Sequence, residues 1–193
     1  MGKGEDTKQL IINHALQQAV FLGFESLSIG HLASQLQMSK SGLFAHFNSK
    51  EALQLAVLEE AMQRFKNSIV TPALQQPKGI ARLTILFDRY LRWIRGSGDT
   101  PGCLFMTLLH EYRDKNGPVR DRLLAGQDDW HRFIQQLAKE VFGNNIDAQQ
   151  FCFEMLGIST GFQHWSNLIN KQKGLTRAKQ AFDSLVGRYT KAA

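Results

Sequence analysis

Three helix starts crowd into the 23 residues from Ser28 to Lys50, SIGHLASQLQMSKSGLFAHFNSK, and few folds need them so close together. Ile29, Leu32, Ala33 and Leu36 fall at i, i+3, i+4 and i+7, one apolar stripe of a helix of about two turns, with Ser28 placed as its N-cap. The stripe breaks at Gln37-Met38. Ser39 then offers a second N-cap, for a very short segment in which Leu43 and Phe47 point inward while Lys40, Ser41 and Gly42 stay small or polar. A third start follows at once, with either Ser49 as the cap or Asn48 as the cap and Glu51 closing a capping box. So short a middle helix adds little core volume, but it suits a helix whose N-terminal turn enters a DNA major groove.

The run from Ser39 to Leu53, SKSGLFAHFNSKEAL, resembles the recognition segment of the TetR family of bacterial transcriptional repressors, and the likeness spans roughly Thr7 to Val57. Phe44 and Phe47, His46 before the second aromatic and Lys50 opening the next helix all fall in register with that family. The resemblance implies an all-α chain with an N-terminal three-helix DNA-binding head containing a helix-turn-helix, and a C-terminal helical body for ligand binding and dimerisation. By resemblance, Phe44, His46 and Lys50 hold the sugar-phosphate backbone. His46 reads equally well as a packed histidine. Ser39, Lys40, Ser41 and Gly42 occupy the N-terminal turn of the recognition helix, where Lys40 is placed for guanine O6 and N7 and Ser41 for either base type. Ser28, at the first helix start, completes the candidate DNA contacts. Phe44 stands where the family very often has Tyr, which removes a phosphate hydrogen bond, and Gly42 stands where a hydroxyl residue is common. Both departures lower the expected affinity, and they keep open an all-helical small-molecule-binding or adaptor protein with a vestigial head.

Charge does not decide between these. The net charge of +6 points towards nucleic acid, yet up to Lys66 six basic residues meet six acidic ones. Phosphate affinity must therefore come from a few positioned groups, Lys50 foremost, because an ammonium at a helix N-terminus asks for an anion nearby.

Helical stepping continues along the chain. The first helix is expected from about Thr7, as its cap, to Leu22, burying Leu10, Ile11, Ala15, Ala19 and Leu22, with Gly23 ending it. A fourth helix from Lys50 to about Val70 carries Leu55, Leu58, Met62, Phe65 and Ile69, and Thr71 to Gly79, with Pro72 and Pro77, is the expected boundary. This divides the chain into a DNA-binding domain at 1–50, a connecting helix at 50–70 and an effector-binding and dimerisation domain at 71–193. Gly96–Gly102 is expected to be a loop, and Pro118 fits the first turn of a long helix lined by Val119, Leu123, Trp130, Phe133, Leu137 and Val141. Two helices close the chain, carrying Phe151, Met155, Ile158, Phe162, Trp165 and Ile169, then Leu175, Ala178, Phe182, Leu185 and Tyr189.

Those two consecutive helices, one of them apolar on more than one face, are what a four-helix dimer interface needs from each subunit. Gly157, Thr160, Gly161 and His164, with Phe182, Leu185 and Tyr189, are the candidate interface for a homodimer on a palindromic double-stranded operator. Completion of the monomer core is the other reading of both helices. Tyr90, Trp93, Phe105, Met106, His110, Trp130, Phe133, Phe162 and Trp165 supply aromatic lining and polar handles for a small apolar or aromatic effector, though each could equally fill the core. The resemblance implies that such an effector shifts a two-state equilibrium and releases DNA.

Other classes find little support. No Gly-rich phosphate loop, His-Glu-x-x-His or Gly-x-Ser-x-Gly occurs, so no catalytic residues are expected. His110, His131 and His164 show no ligand pair at helical spacing, so neither metal nor cofactor is expected. With no apolar leader and no run near 18 apolar residues, the chain reads as a cytoplasmic protein without membrane contact, and the resemblance implies a bacterial one. Cys103 and Cys152 sit in apolar stretches, as buried small hydrophobes or as a redox-sensing pair.

Overall fold

The computed structural model describes residues 3–96 and 103–192, all in helices, turns and loops. Of the loop expected over Gly96–Gly102, all but Gly96 lies outside the described residues. The chain divides into two compact units, Met1–Arg64 with Gly98–Gly126, and Phe65–Ser97 with Gln127–Ala193.

The first unit holds α1 (Lys3–Leu22), α2 (Ile29–Gln35), α3 (Lys40–His46), α4 (Lys50–Phe65) up to Arg64, α7 (Leu104–Glu111) and the start of α8 (Pro118–Phe142). Helix α1 begins at Lys3, so Thr7 lies within it and is not its cap. Its buried face is Ile11, Ile12, Ala15, Leu16, Ala19 and Val20, whereas Leu10 and Leu22 are exposed. Apolar residues nearly encircle this helix, so two stripes fit the sequence and packing selects the second. Gly23 ends α1 with φ +75, and its N–H donates to Ala19 O at 2.8 Å. Helix α4 buries Leu53, Gln54, Val57, Leu58 and Ala61, a face rotated from the expected one, with Leu55 and Met62 only half-buried.

That buried face includes a bonded glutamine. Gln54 Nε2 donates to Phe24 O at 3.1 Å, and Phe24 N donates to Glu111 Oε2 at 2.7 Å. The peptide groups flanking Phe24 are thus held by α4 on one side and α7 on the other. The fully buried ring of Phe24 meets Tyr112 edge-on at 6.2 Å.

The second unit holds a π-helical segment (Lys66–Val70), α5 (Thr71–Leu74), α6 (Ile80–Arg95), the rest of α8, α9 (Ala148–Leu168) and α10 (Lys171–Ala192). The helical path does not stop at Thr71 as expected. Pro72 lacks the N–H that would bond four residues back, and the preceding turn widens so that Thr71 N–H reaches Lys66 O, five residues back.

Helices α9 and α10 form an antiparallel hairpin. At one end the Phe151 and Tyr189 rings meet edge-on at 5.1 Å, and at the other a Cβ at Gly174 would lie 3.2 Å from Trp165 Cδ1, so the glycine lets the helices close up. Asp147 caps α9 by accepting from Gln150 N at 2.9 Å. Phe87 of α6 stacks on Phe182 of α10 at 4.0 Å and 6° between planes. Ion pairs Arg82–Glu140 at 3.1 Å and Lys179–Asp88 at 3.0 Å lie at the periphery.

Burial lowers the His131 pKa below the ordinary histidine value, with Asp128 opposing. Above about pH 6.5 the imidazole is neutral folded or unfolded, but below it the unfolded chain takes the proton first. Stability is therefore expected to fall as pH drops below about 6.5. A thermal melt series should show that slope reduced in His131→Gln. An unchanged slope would assign acid sensitivity to other groups.

Candidate nucleic-acid interface and effector site

The two short helices α2 and α3 are joined by a turn in which Gln37 adopts φ 55, a left-handed conformation that non-glycine residues seldom take. Met38 N then bonds back to Ala33 O at 2.8 Å, closing the turn tightly. Inward, Leu32, Ala33, Leu43 and Phe47 are buried as expected. Outward, Ser39, Lys40 and Ser41 are exposed, Phe44 is 49% exposed, and Gly42 and His46 are half-buried.

Local chemistry fixes this geometry. Ser39 Oγ accepts from Gly42 N at 3.0 Å and so caps α3, while Ser49 Oγ accepts from Ala52 N at 3.0 Å and so, rather than Asn48, caps α4. Ser28 holds the N-cap position of α2 as expected, with the extended backbone of a cap, although its side chain makes no cap hydrogen bond. Its carbonyl alone accepts, from Leu32 N at 2.9 Å. The Lys40 stem lies over Gly30, where a Cβ would stand 3.0 Å from Lys40 Cε, so a glycine in α2 leaves room for the lysine.

Lys50, placed by the resemblance on the sugar-phosphate backbone, pairs with Glu25 of its own chain. Lys50 Nζ donates to Glu25 O at 3.0 Å and lies 3.8 Å from Glu25 Oε2. Glu25 in turn accepts from Lys115, which also pairs with Glu111 at 3.5 Å and sits 4.7 Å above the Tyr112 ring. The Lys115 hydrogen bond holds the Glu25 carboxyl below its ordinary range, and Glu25 holds the Lys115 ammonium above its own. Burial, with the Glu111 charge, pushes the Tyr112 phenol well up, so it stays neutral. Glu25, Glu111 and Lys115 are absent from the candidates read from the sequence, because nothing local pairs residue 25 with residues 111 and 115.

Of the nine residues expected to line an effector site, six lie in the second unit and three, Phe105, Met106 and His110, in the first. Tyr90 and Trp93 of α6 and Trp130 and Phe133 of α8 form one aromatic cluster with Phe65, which lies 6.0 Å from Tyr90, 5.6 Å from Trp93 and 4.9 Å from Trp130, each edge-to-face. Trp130 lies 5.2 Å from Tyr90 and 6.2 Å from Phe133. Phe105, Met106 and His110 are on α7, in the other unit, buried, half-buried and exposed in turn. Phe162 and Trp165 line a shallow surface groove of about 230 Å³ with Ile158 of α9 and Ala178 of α10.

On α9, Phe153 is 72% exposed, and Gly157, Thr160, Gly161 and His164 continue the same exposed face. Among the described residues nothing lies within 4 Å of a Cβ built at Gly157 or Gly161. Phe182 and Leu185 are buried within their own unit, where Leu185 also borders a surface groove shared with Gly157, and the half-buried Tyr189 packs on Phe142 and Phe151. Burial pushes the Cys152 thiol up to about 11, a protonated and unreactive state, and its Sγ lies 3.8 Å from His131 O. Among the described residues no group of three His, Cys, Asp or Glu is placed to hold a metal, and no helix is long and apolar enough to cross a membrane.

The profile of the bacterial regulatory proteins of the tetR family matches residues 11–57, and that of the tetracyclin repressor-like C-terminal domain matches residues 79–182. The HTH-type transcriptional repressor NemR of Escherichia coli K12 is 25% identical over 153 residues, 78% of this chain and 75% of NemR. A TetR-family transcriptional regulator from Streptomyces coelicolor superposes with a TM-score of 0.83 at 18% identity, covering 93% of this chain and 94% of the other. AibR, solved with isovaleryl coenzyme A and operator DNA, superposes with a TM-score of 0.70 at 19% identity, covering 90% of this chain and 96% of AibR. With a helix-turn-helix at α2 and α3 and family matches to both parts of the sequence, the chain belongs to the TetR family of DNA-binding transcriptional regulators.

Proposed function

We propose that the protein is a repressor that binds a palindromic operator as a homodimer and leaves it when a small apolar or aromatic effector binds. The observation that most favours this is the recognition helix, with Ser39, Lys40, Ser41 and Phe44 exposed on a helix whose other side is anchored by Leu43 and Phe47. Residues 1–50 read DNA, 50–70 connect, and 71–193 bind the effector and dimerise. The open α9 face at Phe153, Gly157 and Gly161 is the surface for the second copy. AibR, of the same fold, was solved with both an acyl coenzyme A and operator DNA, which makes two-ligand control a natural reading here.

Selection of bound sequences from a random DNA pool, followed by titration at several salt concentrations, tests the proposal. Lys50→Ala should weaken every sequence alike and reduce the salt slope by about one. Lys40→Ala should in addition relax base preference at one position of each half-site, by about 1–3 kcal/mol of discrimination. A selection that returns no palindromic sequence would favour the adaptor reading.

A further inference from the structure

The aromatic cluster of the second unit is built around the Phe65 ring. Three rings, Tyr90, Trp93 and Trp130, meet Phe65 at interplanar angles of 76°, 84° and 88°, which is the edge-to-face disposition favoured around one central flat group. The indole N–H groups of Trp93 and Trp130 are buried, and neither has an acceptor among the described residues. Trp130 itself is only 7% exposed, and buried indole donors are ordinarily paired. Phe65, Trp93 and Phe133 are only half-buried, so the cluster is not sealed from solvent. Phe65 also stands directly before the π-helical segment Lys66–Val70, a widened turn of the kind that recurs at functional sites.

We propose that this cluster is the effector box, that Phe65 fills it when no effector is present, and that the effector is a flat, uncharged, unsaturated molecule carrying a carbonyl oxygen for the Trp93 and Trp130 N–H groups. This rests on the reading of the chain as an effector-responsive regulator. The rings match a flat apolar body, and the two donors match a carbonyl acceptor. Tyr90, Trp93 and Trp130, the rings around Phe65, carry no positive charge, so an ionised carboxylate seated among them would gain no counter-charge from its walls. A cation would find ring faces but would leave both indole donors unpaired. Phe65 closes α4, the helix that Lys50 opens, so displacing its ring acts on the connecting helix.

Three probes of one shape separate these chemistries: acetophenone, ethylbenzene and 1-phenylethylammonium. Each is titrated into the full-length protein and into Phe65→Ala, reading the melting temperature and tryptophan fluorescence. Phe65→Leu serves as the milder variant if the alanine fails to fold. Emptying the box should tighten acetophenone binding relative to the parent protein, and acetophenone should bind roughly tenfold more tightly than ethylbenzene, a ratio that Trp130→Phe should reduce and Trp93→Phe combined with it should erase. Equal binding of acetophenone and ethylbenzene, tighter binding of the ammonium, or no gain on removing Phe65 would overturn the proposal. Anisotropy of labelled operator DNA separates the two readings. Binding in the box without operator release leaves the box standing and overturns the ligand-released repressor.

Discussion

Phe153→Asp should yield a well-folded monomer that has lost roughly 100-fold or more of its operator affinity. The side chain is 72% exposed and contributes little to its own subunit, so the melting temperature measured at low protein concentration should hardly move. What changes is the surface on α9, where Phe153 and the small residues Gly157 and Gly161 present an apolar, closely approachable stripe. A carboxylate placed there would be buried unpaired on association, which disfavours the dimer strongly. Two half-sites held by one dimer bind as a linked pair, and a monomer must find each alone. Sedimentation and a shift assay on the same preparation check both halves of the expectation. A variant that stays dimeric, or a monomer that binds as tightly as the parent, would remove α9 from the interface.

Phe24→Ala should be the most destabilising single change in the DNA-reading unit, at about 3–5 kcal/mol. That is a large share of the about 5–15 kcal/mol that typically holds a domain together. The ring is fully buried against Tyr112, and the peptide groups on either side of it bond to Gln54 and Glu111. Removing the ring opens a cavity beside one buried and one part-buried hydrogen bond, which loosens the packing around both. Denaturant melts followed by amide exchange should show protection lost first in α1, α4 and α7. Phe44→Ala is the control: with 49% of that ring exposed, the melting temperature should change little although operator affinity falls. Equal stability losses in the two variants would contradict the packing described.

Much of the fold can be read from the chain because short-range chemistry fixes it. Ser39 and Ser49 cap the helices they precede, and Leu32, Ala33, Leu43 and Phe47 turn inward at the expected periods. Expectation and structure part where several apolar stripes fit one helix, as with Leu10 and Leu22 of α1, both exposed. Gln54 gives no sign in sequence of being interior, because a buried glutamine depends on a distant carbonyl, here Phe24 O. Phe182 and Leu185 show the complementary limit: periodicity reveals an apolar face but not whether a neighbour in the same chain or a second chain covers it. The DNA-facing residues are legible as a motif. The aromatic residues for an effector are legible only as an inventory, since their spacing in sequence does not say which of them meet.

The grouping of Gly98–Gly126 with Met1–Arg64 bears on modularity. Glu111 and Lys115 lie far along the sequence, yet they tie down Phe24 N and Glu25 beside the recognition elements. A fusion protein made by grafting residues 1–64 alone onto a foreign scaffold would lose the acceptor for a backbone N–H and the ring beside Phe24. The natural cut for a portable reader is therefore not a single point in the chain but two segments, and chimeras should carry α7 along with the head.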